Sequence, residues 1–247
     1  MHNTIIQNLI DYQKQTAQAT GLPVIEKHGL FSVQNVLGSW PRTTIGTVDM
    51  EKIPAVVLEI DNQQMAPFWV MDNEISVNQI EYLEKNGFRE VNRWEGMLLK
   101  KDSFTLLDRT KDDLQISQVG SDTIQDWYQI VKEVMLPNKS ISNEILDYWL
   151  SCNDVTLFVG KTEDRTVAAG MSFTYNKIAG LYFIATLPEF RGKGYATILV
   201  EALIEKCFRE GVDEVVLHAS EMGCSIYQKL GFTKEGPIST YWKIGRF

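Results

Sequence analysis

The chain has 247 residues, 44% hydrophobic and 23% charged, which suits one large globular domain or two small ones. No run of about 18 uncharged apolar residues occurs, so no membrane span is expected. The formal net charge of −8 argues against nucleic acid or an anionic membrane as a broad partner. Three cysteines, Cys152, Cys207 and Cys224, show no CxxC spacing. They suggest neither a disulfide framework nor a zinc site, no metal is expected, and a reducing cytoplasmic compartment is the simplest reading.

The first stretch, "MHNTIIQNLIDYQKQ", lacks the basic start and apolar centre of a signal peptide and reads as a short amphipathic helix. "MAPFWVMD" reads as an apolar strand, "YLEKNGF" as a helix end, and "REVNRWEGMLLK" as a strand. The polar run "DRTKDD", 108–113, marks a boundary between residues 1–110 and residues 111–247. Charge does not separate the halves. Residues 112–247 carry 13 Lys+Arg against 18 Asp+Glu, and the rest 11 against 14, so neither is a polyanion-binding arm.

Beyond the boundary, "LQISQVGS" is a strand and "SDTIQDWYQIVKEVM" a helix, with Ser121 or Asp122 as cap. Its apolar stripe is Ile124, Trp127, Tyr128, Val131 and Val134. A second helix, "SNEILDYWLSC", takes Ser142 as cap, and both Trp127 and Trp149 are expected in the core. "VTLFVGKT" and "TVAAGMSFTYN" are strands joined by the turn "KTEDR", and "AGLYFIATL", apolar on both faces, is a central strand. A helix with Ala196, Leu199, Leu203 and Cys207 on one face follows, then the strand "DEVVLHAS", the helix "MGCSIYQKLGF" and a last strand, "STYWKIG". The order predicts a mixed α/β sheet of the α+β class, with helices on its faces.

The two halves echo one another. "YLEKNGF" (82–88) matches "IYQKLGF" (226–232) at an offset of 144, each between an apolar strand and an aromatic-bearing one. Under that offset Leu83 falls on Tyr227. The match reads either as a degenerate duplication or as a common local solution.

Between the central strand and the next helix stands "PEFRGKGYAT". Gly192 and Gly194 allow a tight turn. The first turn of the following helix presents unpaired N–H groups at the positive end of its dipole, a site for a phosphate, with Arg191 and Lys193 at its rim. The spacing is neither a Walker P-loop nor GxGxxG.

The pattern R-x-x-G-x-[G/A] after "TLPEF", here Arg191, Gly194 and Ala196, continues with "LHASEMGCSIYQKLGF". It resembles the GNAT superfamily of acyl-CoA-dependent N-acyltransferases, over a little more than half the chain. A degenerate first copy before an intact second one also resembles the superfamily's tandem members. The resemblance implies a GNAT-like, mainly antiparallel sheet flanked by helices, with 111–247 as the catalytic domain. It implies acetyl-CoA, or another acyl-CoA, as co-substrate. The pyrophosphate would sit on the backbone from Arg191 through Gly192, Lys193, Gly194 and Tyr195 to Ala196. The pantetheine would lie along Ile184, Ala185 and Thr186, where a splayed strand leaves backbone groups free. Family members often carry Asn seven residues before the acid Tyr. Here Ser220 stands there, which puts its contact with the cofactor in doubt.

The implied reaction is direct attack of an amine, small molecule or peptide, on the thioester. Tyr227 matches the family's general acid. With an ordinary pKa near 10, its phenol is protonated at pH 7 and can donate to a leaving thiolate. The base is not fixed. His218 shares a strand face with Ser220, Glu221 and Glu189 are alternatives, and ordered water is a further one. Cys224 reads as a packing residue, and "MLPNKSIS" as a mobile acceptor loop. The competing functional reading is a catalytically idle acyl-CoA-binding regulatory module, which binds without releasing thiol. A monomer is expected, since a dead copy can replace a partner subunit.

Overall fold

The computed structural model describes residues 3–72, 75–107, 113–163 and 165–244. The first half opens with α1 (Thr4–Thr20), longer than the quoted stretch suggests. The Asn3 side chain accepts the Ile6 N–H at 2.9 Å, and Gly21, at φ 70°, ends the helix in the left-handed conformation that glycine adopts without cost. Then follow β1 (Val24–Lys27), β2 (Leu30–Val33), β3 (Thr43–Ile45), α2 (Ile53–Asp61), β4 (Phe68–Asp72), α3 (Val77–Lys85) and β5 (Phe88–Lys100). The strands expected at "MAPFWVMD" and "REVNRWEGMLLK" are β4 and β5.

The second half runs β6 (Gln115–Gln118), α4 (Ile124–Met135), α5 (Asn143–Ser151), β7 (Val155–Lys161), β8 (Thr166–Tyr175), β9 (Ile178–Thr186), α6 (Tyr195–Arg209), β10 (Glu214–Ala219), α7 (Glu221–Lys229) and β11 (Thr233–Lys243). Several ends differ from expectation. The cap of α4 is Thr123, not Ser121 or Asp122; its hydroxyl accepts the Gly120 N–H at 3.0 Å instead of capping the helix. Ser142 holds the cap position of α5 without a side-chain bond. The last strand begins six residues before "STYWKIG", because β5 pairs with it from Thr233 onward. The expected boundary falls on 108–112, outside the described residues.

All eleven strands form one sheet, ordered β1-β2-β3-β4-β11-β5-β10-β9-β8-β7-β6. Away from its edges the sheet is nearly palindromic. In the first half β3 and β4 are parallel across α2, and in the second β9 and β10 are parallel across α6. At the centre each half's last strand crosses to the other. β11 pairs antiparallel with β4 and β5 pairs antiparallel with β10, while β5 and β11 pair with each other. The repeat seen in the sequence has a geometric counterpart: α3 and α7 lie 144 positions apart. Ser76 and Ser220 cap them in the same way, accepting the N–H groups of Gln79 and Gly223. Gly87 and Gly231 turn the chain behind them at φ 79° and 101°. At Gly231 a side chain is also barred sterically, since a Cβ would come 2.0 Å from the Ser103 carbonyl oxygen.

Burial separates the two copies chemically. Leu83 of α3 is fully buried, in a core with Trp69, Phe88 and Tyr241. Its counterpart Tyr227 is half-buried and lines open cavities. Trp127 and Trp149 are both buried, as expected, under α1, α4 and α5.

Candidate active site

The site begins with an irregularity in β9. Ala169 pairs with Ala185 and Met171 with Tyr182, so Phe183 and Ile184 together oppose Gly170. This is a β-bulge, with Phe183 at φ 52°. Gly170 is left without a partner on β9, and the indole Nε1 of Trp127 donates to its carbonyl at 3.0 Å. A Cβ on Gly170 would lie 2.9 Å from Ile184 Cδ1 and 3.0 Å from Leu203 Cδ1, so those side-chain tips pack directly over the glycine and would have to shift.

The bulge coincides with a parting of strands. Pairing between β9 and β10 runs from Ile178 opposite Glu214 to Leu181 opposite Leu217 and stops there. Beyond it β9 keeps β8 on one side only. Leu187 N–H bonds to Val167 C=O on that side. By strand alternation, the N–H and C=O of Thr186 face the open edge, as do those of Ile184. The Arg191 Nε–H donates to that Thr186 carbonyl at 3.2 Å. The family trait of a splayed strand is therefore present.

At the end of β9 the chain turns through Gly192, at φ 75°, and Gly194, at φ 86°, the latter being the cap residue of α6. A non-glycine residue pays about 1–2 kcal/mol for that conformation. Gly194 offers no capping side chain, so the first-turn N–H groups of α6 remain open to an anion. A cavity of about 500 Å³ lies on this turn. Ile184, Ala185, Thr186, Arg191, Gly192 and Gly194 line it, joined by Tyr195, Ala196, Ser220 and Tyr227. Ala196, expected both on the apolar face of the helix and at the pyrophosphate turn, is half-buried and lines the cavity. Lys193 does not line the cavity. Its ammonium lies 4.8 Å from the Phe190 ring centroid and 6.0 Å from that of Tyr195, held by cation–π attraction. Tyr195 itself is buried and its hydroxyl donates to Asp113 at 2.5 Å. Leu107, Met222 and Ile226, which the sequence pattern did not mark, also line it, as does Val134 from the α4 stripe. Thr186 Oγ1 is buried there without a hydrogen-bond partner among the described residues.

A second cavity, of about 290 Å³, adjoins the first. Ile184, Ser220 and Tyr227 line both, so the two meet where β9 and β10 part. The first half supplies much of this second wall: Tyr12, Gln13, Trp40, Phe68, Val70 and Trp94. Met135 and Lys139 of "MLPNKSIS" belong to it as well. That segment is fastened rather than mobile. Trp40 N–H bonds to Ser140 C=O, and Ser140 N–H to Gly38 C=O, both at 2.8 Å.

Burial pushes the Tyr227 phenol up to about 12, with the Cys224 charge a smaller cause. Its hydroxyl makes no hydrogen bond among the described residues, and its ring packs edge-on against Phe232 at 5.6 Å. His218 lines the second cavity alone, flat against Trp94 at 5.9 Å with an interplanar angle of 2°. Burial pulls its imidazole down to about 4, so it is neutral at pH 7. Ser220 caps α7, its Oγ accepting the Gly223 N–H at 3.3 Å, and its own hydroxyl proton is left to donate. Glu189 and Glu221 are exposed, and Glu189 is ion-paired with Arg165. Neither lines a cavity with Tyr227. Cys224 packs against the buried cluster that includes Leu199, Leu203, Leu230 and Phe232, as a small apolar residue does.

A splayed, bulged central strand followed by a glycine turn at a helix N-terminus defines an acetyltransferase-type scaffold. Residues 123–232 match the model of the acetyltransferase (GNAT) family. The fold matches a GCN5-related N-acetyltransferase from Kribbella flavida over 100% of this chain and 98% of that one, at TM-score 0.72 and 12% identity. A GCN5-related N-acetyltransferase-like protein from Streptococcus suis matches over 94% and 98%, at TM-score 0.61 and 15% identity. One from Sphaerobacter thermophilus matches over 89% and 75%, at TM-score 0.61 and 13% identity. No curated protein matches the sequence. The second half matches the GNAT acetyltransferase family, and the GNAT-like fold extends over both halves. No helix among the described residues is long and apolar enough to cross a membrane.

Proposed function

We propose that the protein transfers an acyl group, acetyl in the simplest case, from coenzyme A to a primary amine. One observation carries the reading: two cavities, one on an anion-binding turn and one lined by both halves, meet at Tyr227, Ser220 and the free edge of β9. The residues fit acetyl-CoA. Open N–H groups at the start of α6 suit its pyrophosphate, and the unpaired edge at Ile184 and Thr186 suits the amides of its pantetheine arm. Bound acetyl-CoA supplies the activated acyl group.

The chain's own residues then have the following roles. Backbone N–H groups on the β9 edge donate to the thioester carbonyl and stabilise charge that develops there. The amine nitrogen bonds to the carbonyl carbon, and the carbon–sulfur bond breaks. Tyr227 gives its proton to the departing sulfur, and the proton lost by the amine restores the phenol through His218 or solvent. The products are an amide and free coenzyme A. His218, which holds a proton only below about pH 4, passes it on and does not keep it. Ser220 donates its hydroxyl at the junction. In this reading the first half is a GNAT-like copy whose glycine turn is gone and whose Leu83 replaces the acid, leaving it to wall the acceptor cavity.

The test is release of free thiol from acetyl-CoA over a panel of amines, with mass spectrometry of the product. An acetylated amine formed with equal thiol is expected. Acetyl-CoA binding without release on any amine would favour the idle binding module.

A further inference from the structure

The chemistry of the second cavity narrows the acceptor, on the acyl-transfer reading above. Its walls are largely aromatic. Tyr12 stacks on Tyr182 with centroids 4.6 Å apart, and Trp40 meets Phe183 edge-on at 5.4 Å. No carboxylate lines it among the described residues, and Lys139 is the one full charge in its described wall. The Lys139 ammonium lies 5.0 Å from the Phe68 ring centroid and 5.3 Å from that of Trp242. No carboxylate among the described residues pairs with it. Burial pulls its pKa down, the mark of a partly desolvated cation. Two ring faces offset only part of that desolvation, so the site favours an anion. A second orphan calls for a donor beside that anion. Gln13, 4% exposed on α1, lines the cavity, and its Oε1 has no hydrogen-bond partner among the described residues. Buried polar atoms of this kind are normally satisfied.

We infer that the acceptor is a small amine that carries a carboxylate and an aromatic or apolar body, the general form of an aromatic amino acid. Its carboxylate pairs with Lys139, and its ring packs among Tyr12, Trp40 and Tyr182. Gln13 Oε1 accepts an N–H of the same molecule, and its amine reaches the junction at Tyr227 and Ser220. The volume, about 290 Å³, is roughly twice the ~150 Å³ cavity known to hold benzene, enough for a ring and a short charged tail. Polyamines and lysine-rich peptides are disfavoured, since a second cation would face Lys139.

The experiment compares thiol release from acetyl-CoA by the full chain with L-phenylalanine, with 2-phenylethylamine and with spermidine. The expected kcat/KM for L-phenylalanine exceeds that for 2-phenylethylamine by about tenfold or more, as a charge-assisted pair gives. Lys139→Met should bring that ratio towards one, chiefly through KM, and Lys139→Arg should keep it. Circular dichroism melts establish that both variants are folded. Turnover that favours 2-phenylethylamine or spermidine, or a ratio unchanged in Lys139→Met, overturns the inference and leaves acyl transfer standing. Absence of turnover with every amine overturns acyl transfer itself and this inference with it.

Discussion

Trp127 donates its indole N–H to the Gly170 carbonyl at 3.0 Å, and Gly170 is the residue of β8 that pairs with Phe158 on β7 but has no single partner across the bulge in β9. The bond joins a helix of the core to the kink that parts β9 from β10. Gly170 keeps its place opposite Phe158 on β7, so the indole bond adds to the ladder at the kink and ties α4 to it. Trp127→Phe keeps a ring and removes the donor. It should cost about 0.5–1.5 kcal/mol for the lost hydrogen bond and lower Tm by a few degrees. Differential scanning calorimetry reads this directly, and an unchanged Tm would show that the bond contributes nothing.

Tyr227 is the residue on which proton supply to the sulfur depends. Tyr227→Phe should lower kcat about tenfold or more and leave the Kd for acetyl-CoA nearly unchanged. Because burial holds the phenol at about 12, wild-type kcat should not fall with deprotonation of this group as pH rises from 7 to 11. A kcat equal to wild type in Tyr227→Phe would remove it from the mechanism.

The glycine turn gives a graded test. Gly192 has φ 75° and nothing within 4 Å of where a Cβ would stand, so a substitution there acts through backbone strain and not through a clash. Gly192→Val should weaken acetyl-CoA binding about tenfold, whereas Gly192→Asn, which tolerates left-handed backbone, should lose much less. Equal losses by calorimetry would mean that the turn's conformation is not what binds.

His218 makes stability depend on pH. Its folded pKa, about 4, lies below the unfolded value of about 6.5. The unfolded chain therefore gains a proton first as pH falls. The stabilisation tied to the neutral imidazole is complete above pH 6.5 and is lost between 6.5 and about 4, to a limit of roughly 3 kcal/mol. Unfolding in urea at pH 7.5 and pH 4.5 should show wild type losing more stability than His218→Gln across that interval. Parallel losses would place the titration elsewhere.

Strand exchange at the centre ties the halves together. Residues 111–247 alone would lack β5, which lies between β10 and β11 in the sheet. β4 would be missing too, so β11 would lose both its neighbours and β10 one edge partner, and this fragment should aggregate or stay unfolded. A monomeric fragment with a cooperative melt near that of the full chain would contradict the interdependence.

What the sequence disclosed and what it hid follow from range. The turn at Gly192 and Gly194, the acid candidate Tyr227 and the buried Trp127 and Trp149 are set by local spacing, and they were legible. The packing of the Lys193 ammonium on the rings of Phe190 and Tyr195 was not legible, because no spacing reveals side-chain conformation. The second cavity was largely illegible. Gln13, Trp40 and Trp94 come from distant parts of the chain and converge only through the sheet order. The exchange of β5 and β11 was hidden for the same reason, since an apolar strand does not name its partner.

The central claim is that the "RGKGYA" turn and the splayed edge of β9 hold an acyl-CoA. Calorimetric titration of the full chain with acetyl-CoA, beside adenosine lacking the pyrophosphate, tests it most directly. Micromolar binding that requires the pyrophosphate is the predicted result; no heat of binding for acetyl-CoA would contradict it.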